Sequence, residues 1–239
     1  MTWESENVTD SALDGRTVLI AGATSASGRA VARALLDAGA RVVAVGSDQG
    51  RIDAMESEFP GLFGEHADLT DGDDVLELSM RVHARVGDVD GVIHLVGGWR
   101  GGGGIPSQTE EDYRVVERSF TALRLVSGAF WQDLVTSTAG RIAIVSSVTV
   151  VSPTAGSANY TAVKAASESW MRSLAHGFAP RPVDVVGALQ PKEPGGGAAV
   201  IFRVRSLAGL EDRLAASVVD LWRADAATLN GSVIELTAE

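Results

Sequence analysis

The sequence contains no cysteine. Disulfide bonds, thiolate nucleophiles and cysteine-ligated metal sites are therefore excluded for this chain. Long apolar runs are missing as well, because no stretch approaches the ~20 residues that a membrane-spanning helix needs. Residues 1–14 are polar and acidic and lack the apolar segment of a secretory signal. These absences predict a cytoplasmic protein without a membrane partner.

Basic residues are outnumbered by acidic ones. The chain has 20 lysines and arginines against 31 aspartates and glutamates, which gives a formal net charge of -11. Because a nucleic-acid backbone is bound by clustered positive charge, nucleic acid is not an expected partner. We expect no metal site either, since the histidines fall on different predicted elements without the spacing of metal ligands. These histidines are His66, His83, His94 and His176.

A chain of 239 residues, 45% of them hydrophobic, is long enough to bury one α/β core. Short β-branched segments alternate with segments of helical period. The predicted strands are Thr17–Ala21, Arg41–Val45, Leu62–Ala67, Gly91–Val96, Arg141–Ser146, Val183–Leu189 and Ser232–Leu236. The predicted helices span 27–38, 49–58, 72–86, 109–136, 158–177 and 208–224. This alternation predicts one Rossmann-type, doubly wound parallel sheet with helices on both faces, in residues 15–239, after a partly disordered tail, 1–14.

The stretch AGATSASGRA, residues 21–30, follows the first predicted strand. Gly22 and Gly28 suit the first and third glycines of a dinucleotide-binding turn, while Ala26 stands where the second is expected. Three neighbouring side chains carry hydroxyl groups: Thr24, Ser25 and Ser27. The helix that follows offers free N–H groups and a positive dipole end to a phosphate. An ordinary strand-to-helix turn uses the same residue types, so the turn alone supports either interpretation.

The end of the second predicted strand bears on the choice of nucleotide. An acidic residue usually binds the ribose hydroxyls of NAD at this position, and a neutral or basic neighbourhood suits the 2′-phosphate of NADP. Here Gly46 stands at the expected position, with Ser47 beside it and Arg51 one helical turn later. The sequence favours NADP(H), and NAD(H) stays possible because Asp48 lies close enough to replace the missing acid.

Two further residues lie four positions apart on a predicted helix. Tyr160 and Lys164 therefore share one face, and Ser147 follows a strand whose end borders the same crevice. A phenol has a pKa near 10, and a neighbouring ammonium group lowers that pKa towards the range of general acid–base catalysis. The three side chains are candidates for catalysis.

From Arg16 to about Leu236 the chain resembles a short-chain dehydrogenase/reductase. The family combines a glycine-rich turn with Tyr-x-x-x-Lys and a serine thirteen residues before the tyrosine, and Ser147 and Tyr160 keep that spacing. The resemblance implies an oxidoreductase that transfers a hydride between NAD(P)(H) and a carbonyl or secondary alcohol. It also implies that Tyr160 exchanges a proton with the substrate oxygen, that Ser147 orients this oxygen, and that Lys164 binds ribose and lowers the tyrosine pKa.

The same resemblance extends to the nucleotide. It implies that Asp68 contacts adenine with Leu69 beside it, although Asp68 also suits the N-cap of the helix that follows. Val96 and Gly97 match the end of the family's Asn-Asn-Ala-Gly motif, which lines the cofactor. By resemblance, helices 109–136 and 158–177 join two copies, which predicts a homodimer or homotetramer.

Several positions depart from the family pattern. His94 and Leu95 replace the paired asparagines, and Ser119 replaces the asparagine that holds a water for proton relay. Pro191 stands at the cofactor-binding Pro-Gly position but is followed by lysine, and the segment from there to Ser206 is read as a short glycine-rich loop. These departures keep an alternative open, a dinucleotide-binding or scaffold protein without catalysis.

The glycine-rich segment GGWRGGGGIPSQ, residues 97–108, follows the fourth predicted strand and should border the ligand crevice. It suits a flexible connector as well as a functional lid. Trp99 within it can stack on a substrate or cover the crevice.

Overall fold

The computed structural model describes residues 13–179 and 196–237. Its strands are β1 (Thr17–Ala21), β2 (Arg41–Gly46), β3 (Leu62–His66), β4 (Gly91–His94), β5 (Arg141–Ser147), β6 (Ala198–Val204) and β7 (Val233–Leu236). Its α-helices are α1 (Ala26–Asp37), α2 (Gln49–Glu58), α3 (Gly72–Val86), α4 (Glu110–Ala129), α5 (Trp131–Thr136), α6 (Ala158–Phe178), α7 (Glu211–Asp220) and α8 (Ala226–Leu229).

The strands form one parallel sheet in the order β3-β2-β1-β4-β5-β6-β7. The chain leaves β3 at one edge and continues in β4, on the other side of β1. The carboxyl ends of β1 and β4 therefore flank the switch point at which such sheets bind ligands. The predicted doubly wound parallel sheet is confirmed.

The alternation of side chains along the strands divides the core between two helical layers. Val18 of β1 packs in one cluster with Leu35 of α1, and the next residue, Leu19, packs in another cluster with Leu78 of α3. All four side chains are fully buried, and each contributes about 1.5–3 kcal/mol by leaving water. This packing holds the sheet rigid beneath the loops at its carboxyl edge.

The sixth strand differs from the prediction. It lies at Ala198–Val204, whereas the predicted strand Val183–Leu189 falls outside the described residues. A Cβ at Gly196 would stand 1.9 Å from the carbonyl oxygen of Thr138. The glycines before β6 therefore allow close packing, and the interpretation of the segment up to Ser206 as a short loop is wrong.

The predicted helix 109–136 is two helices, α4 and α5, which meet at the fully buried Phe130. Leu13, assigned to the tail by the sequence, is buried in the core, and its carbonyl oxygen accepts a hydrogen bond from the N–H of Arg16. Within the described ranges, no helix combines the length and the apolar character that crossing a bilayer requires.

Candidate active site

A cavity of about 410 Å³ opens at the carboxyl ends of β1, β4, β5 and β6. We call it the main cavity. Seven of the predicted site residues line it: Ser25, Ser27, Val96, Gly97, Ser147, Tyr160 and Lys164. The sheet therefore brings together the three candidate catalytic side chains and part of the glycine-rich turn.

Ser147 ends β5 and is buried. Its Oγ accepts hydrogen bonds from the backbone N–H and the hydroxyl of Thr149, at 3.2 and 3.0 Å. Thr161 of α6 donates in turn to the Thr149 hydroxyl at 3.0 Å. Thr149, which the sequence did not single out, thus links the Ser147 hydroxyl to the helix that carries Tyr160 and also lines the main cavity.

Tyr160 lies in the first turn of α6, and its phenol lies close enough to Ser147 for that hydroxyl to affect its pKa. Burial raises the pKa of its phenol above the ordinary value of 10, and the bond to Ser147 opposes this only in part. The phenol is therefore protonated at neutral pH. The sequence-based expectation that Lys164 lowers this pKa stays a prediction, because burial and the Ser147 hydroxyl are the two effects that determine the net rise in pKa.

Lys164 lies one turn further along α6. Its Nζ donates to the carbonyl oxygen of Val145 at 2.8 Å and stands 5.8 Å from the centroid of the Tyr160 ring. Burial lowers the pKa of the ammonium group to about 8, while the negative charge of Glu168 acts in the opposite direction. Most of Lys164 therefore carries its charge at pH 7.

Glu168, a fully buried carboxylate, connects three elements around the site. On its Oε1, it accepts hydrogen bonds from Ser146 Oγ and Arg203 Nε, both at 2.8 Å. Its Oε2 accepts from Arg203 at 2.6 Å and Arg172 at 3.0 Å. Burial alone would raise the pKa of this carboxyl, but the hydrogen bonds and the two arginine charges outweigh it, so the net pKa lies below the ordinary value. Strands β5 and β6 are thereby tied to α6.

The turn after β1 has the geometry of a phosphate cradle. Gly22 has a φ of +83°, and a Cβ there would lie 2.9 Å from the backbone nitrogen of Val96. A Cβ at Gly28 would lie 2.3 Å from the carbonyl oxygen of Ala23. Ser25 caps α1 by accepting the N–H of Gly28 at 3.0 Å. The turn therefore needs both glycines, and the open start of α1 faces the main cavity.

Ala26, which replaces the second glycine, is exposed and begins α1. It lines a groove between α1 and α7, outside the main cavity. The methyl group of Ala26 therefore lies at the surface of the protein and not in the main cavity.

A second cavity, of about 170 Å³, lies on the other side of the glycine-rich turn. Six predicted cofactor-binding residues line it: Gly22, Thr24, Ser47, Asp68, Leu69 and Val96. Its position relative to the turn and the main cavity suits the adenosine half of a dinucleotide.

Asp68 is held in this second cavity by neighbours. Its carboxylate accepts hydrogen bonds from the backbone N–H and the hydroxyl of Thr70. It also forms an ion pair with Arg118 of α4, whose guanidinium lies 3.1 and 3.2 Å from the two carboxylate oxygens. Those hydrogen bonds, led by Thr70, hold the pKa of Asp68 below its usual range. The helix N-cap suggested for Asp68 is instead Asp71. Arg118, which the sequence did not indicate, also lines the second cavity.

Arg51 and Asp48 have separate roles at the start of α2. The Asp48 carboxylate caps the helix by accepting the N–H of Arg51 at 2.9 Å. The guanidinium of Arg51 donates to the carbonyl oxygen of Thr24 at 2.5 Å, beside the second cavity. The guanidinium of Arg51 thus lies beside the Ser47 end of the second cavity, while the Asp48 carboxylate is used to cap α2.

Ser119 is not brought into the main cavity. Its hydroxyl donates to the Val116 carbonyl at 2.7 Å, and its own carbonyl accepts the Nε2–H of the buried His94 at 3.0 Å. Burial, assisted by the charge of Lys164, lowers the pKa of His94 to about 3, so the imidazole is neutral. Pro191 lies outside the described residues.

The sequence suggested that the histidines are isolated from other metal-ligating side chains. In the structure, one of them, His83, is not. Ligand atoms of His83, Asp88 and Asp133 lie within 4.8 Å of one another. His83 Nε2 is 2.7 Å from Asp133, which also accepts the N–H of Val89 at 3.1 Å. These contacts join α3, the loop before β4, and α5.

Known proteins share this sequence pattern and this fold. The family model for short chain dehydrogenases matches residues 16–192. The chain therefore belongs to the short-chain dehydrogenase family, and it is an NAD(P)-dependent oxidoreductase of CH–OH and C=O groups.

The following individual relatives share less than a third of their residues with this chain. The chain is 27% identical to 3-oxoacyl-(acyl-carrier-protein) reductase FabG of Escherichia coli (strain K12), over 72% of this chain and 71% of the relative. Identity to the Vibrio harveyi FabG is 29% over the same shares. A gluconate 5-dehydrogenase from Burkholderia cenocepacia J2315, crystallised with NADP and tartrate, superposes with a TM-score of 0.76 over 94% of both chains at 20% identity. The last similarity supports the fold.

Proposed function

We propose that the protein reduces a ketone or aldehyde, or oxidises the matching secondary alcohol, with NADP(H) as the preferred cofactor. One observation carries this proposal, namely that Ser147, Tyr160 and Lys164 line a single cavity beside the start of α1. The substrate is a small molecule whose carbonyl oxygen reaches both hydroxyl groups.

The cofactor fits the residues present. Gly22 and Gly28 leave room for a backbone cradle, α1 offers its N–H groups to a diphosphate, and the second cavity suits adenosine. Lys164 Nζ would hold the nicotinamide ribose. When bound, the nicotinamide supplies or accepts the hydride at the reacting carbon.

The protein's own groups handle the proton. Tyr160 is protonated at neutral pH, so in reduction its O–H donates the proton to the substrate oxygen. The Ser147 hydroxyl donates a hydrogen bond to the same oxygen and fixes its position. The Lys164 ammonium, mostly charged at pH 7, stabilises the phenolate that remains. In alcohol oxidation the phenol must first lose its proton, which its raised pKa opposes.

The activity is tested by following NADPH oxidation with a panel of ketones and aldehydes, and NADP⁺ reduction with the matching alcohols. Turnover supports the proposal. Cofactor binding without turnover throughout the panel would favour the second candidate, a non-catalytic dinucleotide-binding or scaffold protein. The contacts of Ser119 support that candidate, because its hydroxyl and carbonyl are both engaged within the protein.

The preference for NADP(H) rests on Arg51. Arg51→Ala is expected to weaken NADPH binding about tenfold or more, because a charged hydrogen-bond donor to the 2′-phosphate is lost. NADH lacks this phosphate, so its affinity should stay within about twofold. Titration by cofactor fluorescence measures both constants.

Arg41→Ala is the matched control, because Arg41 is an exposed arginine at the opposite, amino-terminal end of β2. Its substitution should leave both constants unchanged. Equal weakening of NADPH and NADH by Arg51→Ala would contradict the assignment.

The position of Ala26 leads to a second expectation. Ala26→Gly should change the dissociation constant for NADPH by no more than about twofold, since Ala26 is exposed and lies outside the main cavity. The same fluorescence titration measures the change. A gain of tenfold or more would show that the methyl group obstructs the cofactor.

By resemblance to its family, we also propose a cytoplasmic homodimer or homotetramer assembled through α4 and α6. Sedimentation of the purified protein measures the number of copies.

A further inference from the structure

The main cavity is lined by positively charged side chains, although the chain as a whole is acidic. The chain carries a formal net charge of -11, yet two cationic side chains, Lys164 and Arg205, line this cavity. Among the described residues that line it, none is an aspartate or glutamate. The cavity therefore presents positive charge to whatever enters it.

Arg205 differs from its neighbour Arg203, two positions earlier. The guanidinium of Arg203 is neutralised by the buried Glu168 through bonds of 2.8 and 2.6 Å. Arg205 is exposed and has neither a hydrogen bond nor an ion pair with any residue that the structure describes. One arginine is thus structural, whereas the other is available to a ligand.

The sheet fixes where this available charge lies. Val204 pairs with Ser147 in the parallel register of β5 and β6, so Arg205 follows directly beside the strand end that carries Ser147. The two hydrogen bonds that Arg203 donates to the Glu168 carboxylate anchor this end of β6 to α6. The backbone of Arg205 therefore follows an anchored strand end, next to the candidate catalytic hydroxyl of Ser147.

We propose that Arg205 forms an anion subsite in the main cavity, and that the carbonyl substrate carries an acidic group, a carboxylate or a phosphate, which this guanidinium binds. The inference rests on the proposed function and deepens it by naming the class of substrate. A planar guanidinium binds such oxygen pairs with two parallel hydrogen bonds, which also orients the bound molecule.

Two anions could occupy this subsite, the acidic group of a substrate or the diphosphate of the cofactor. In the proposed function, the diphosphate binds to the N–H groups at the start of α1, after β1, where Ser25 and Ser27 line the cavity. Strand β6 lies three positions from β1 in the sheet, about 14 Å at the usual strand spacing. Ser147 is on the adjacent strand. The position of Arg205 thus favours the substrate.

The cavity rim would cover the rest of such a substrate. Trp99 and Leu207 provide apolar surface, and Ser206 provides a hydroxyl beside Arg205. Trp99 belongs to the glycine-rich loop, which is held in place because Gly102 donates to the Gly156 carbonyl at 2.8 Å. This hydrogen bond joins the loop that carries Trp99 to the segment just before α6.

The test compares acids with their neutral methyl esters. Binding is measured with the NADPH complex and β-hydroxybutyrate or its methyl ester, by quenching of NADPH fluorescence, and this step needs no turnover. Reduction is measured with acetoacetate, levulinate and their methyl esters. The wild-type protein should bind and reduce the acids at least about tenfold better than the esters.

Arg205→Gln should weaken binding of the acid about 10- to 100-fold, the usual effect of losing a charged hydrogen-bond partner, and leave the ester unchanged. Arg205→Lys keeps the charge and should recover part of the affinity. Arg100→Gln is the matched control, because Arg100 is exposed on the glycine-rich loop and its side chain donates to the adjacent Trp99 carbonyl. The control should behave like the wild-type protein.

Equal binding of acid and ester by the wild-type protein would overturn the proposal. So would an Arg205→Gln variant that loses NADPH affinity by the same factor as acid affinity, since Arg205 would then serve the diphosphate. If acids bind tightly but no carbonyl is reduced, the subsite is supported while the proposed catalytic function fails.

Discussion

Tyr160→Phe should lower kcat for carbonyl reduction by roughly 10²- to 10⁴-fold, the range that a positioned general acid contributes. The substitution removes the hydroxyl that we propose as the proton donor, but it keeps the ring whose centroid lies 5.8 Å from Lys164 Nζ. NADPH affinity should therefore stay within about twofold. Steady-state kinetics and cofactor titration on the same preparation measure the two effects.

Tyr113→Phe is the matched control, since Tyr113 is the other of the two tyrosines in the chain and lies exposed on α4. It should keep the wild-type rate. A Tyr160→Phe variant that reduces its carbonyl substrate at the wild-type rate would exclude the phenol as the proton donor. A variant that loses NADPH binding would indicate a structural defect instead.

Glu168→Gln should destabilise the fold by about 3–5 kcal/mol at neutral pH, the usual cost of removing one partner of a buried ion pair. The loss leaves Arg203, whose side chain is only 14% exposed, without its counter-charge. Arg172, which is 57% exposed, is compensated by water and adds little. Urea unfolding of the two proteins measures the difference.

The pH dependence of the free energy of unfolding shows whether Glu168 stabilises the fold through its negative charge or through its packing. The pKa of Glu168 in the folded protein lies below its ordinary value of 4.5, so its stabilising effect is fully present above pH 4.5 and is lost as the pH falls through the folded-state pKa. The stability gap between wild type and Glu168→Gln should therefore narrow in acid. A gap that is independent of pH would contradict an ionic origin.

Glu110→Gln serves as the control for this prediction. Glu110 forms an ion pair with Arg114, but both side chains are more than two-thirds exposed. Such a pair contributes within about 1 kcal/mol. The contrast tests whether burial, and not the number of ion pairs, determines the size of the effect.

The sequence predicted those parts of the molecule that depend on local order. Strand β1 was predicted with its exact bounds because an apolar, β-branched run ends at a glycine turn. The spacing of Tyr160 and Lys164 on one helix face also needed only local geometry. In contrast, β6 was missed because its run follows three glycines, which in a sequence are typical of a loop.

The remaining site contacts join residues that are distant in the chain. Arg118 reaches Asp68 across 50 positions, and Arg203 reaches Glu168 across 35. No spacing rule connects such pairs, because the sheet order and the packing of α4 and α6 bring them together. The sequence therefore indicates the candidate catalytic side chains more readily than the groups that hold them in position.

The loop of four consecutive glycines that follows shortly after Trp99 has a consequence for engineering. A Cβ at Gly101 would lie 2.4 Å from the carbonyl oxygen of Gly156, just before α6. The side chain of Gln108 donates to that same oxygen and accepts the N–H of Asn159 in the first turn of α6. The glycines therefore keep the loop backbone close to α6, and a bulkier residue at Gly101 would displace the helix that carries Tyr160, the proposed proton donor.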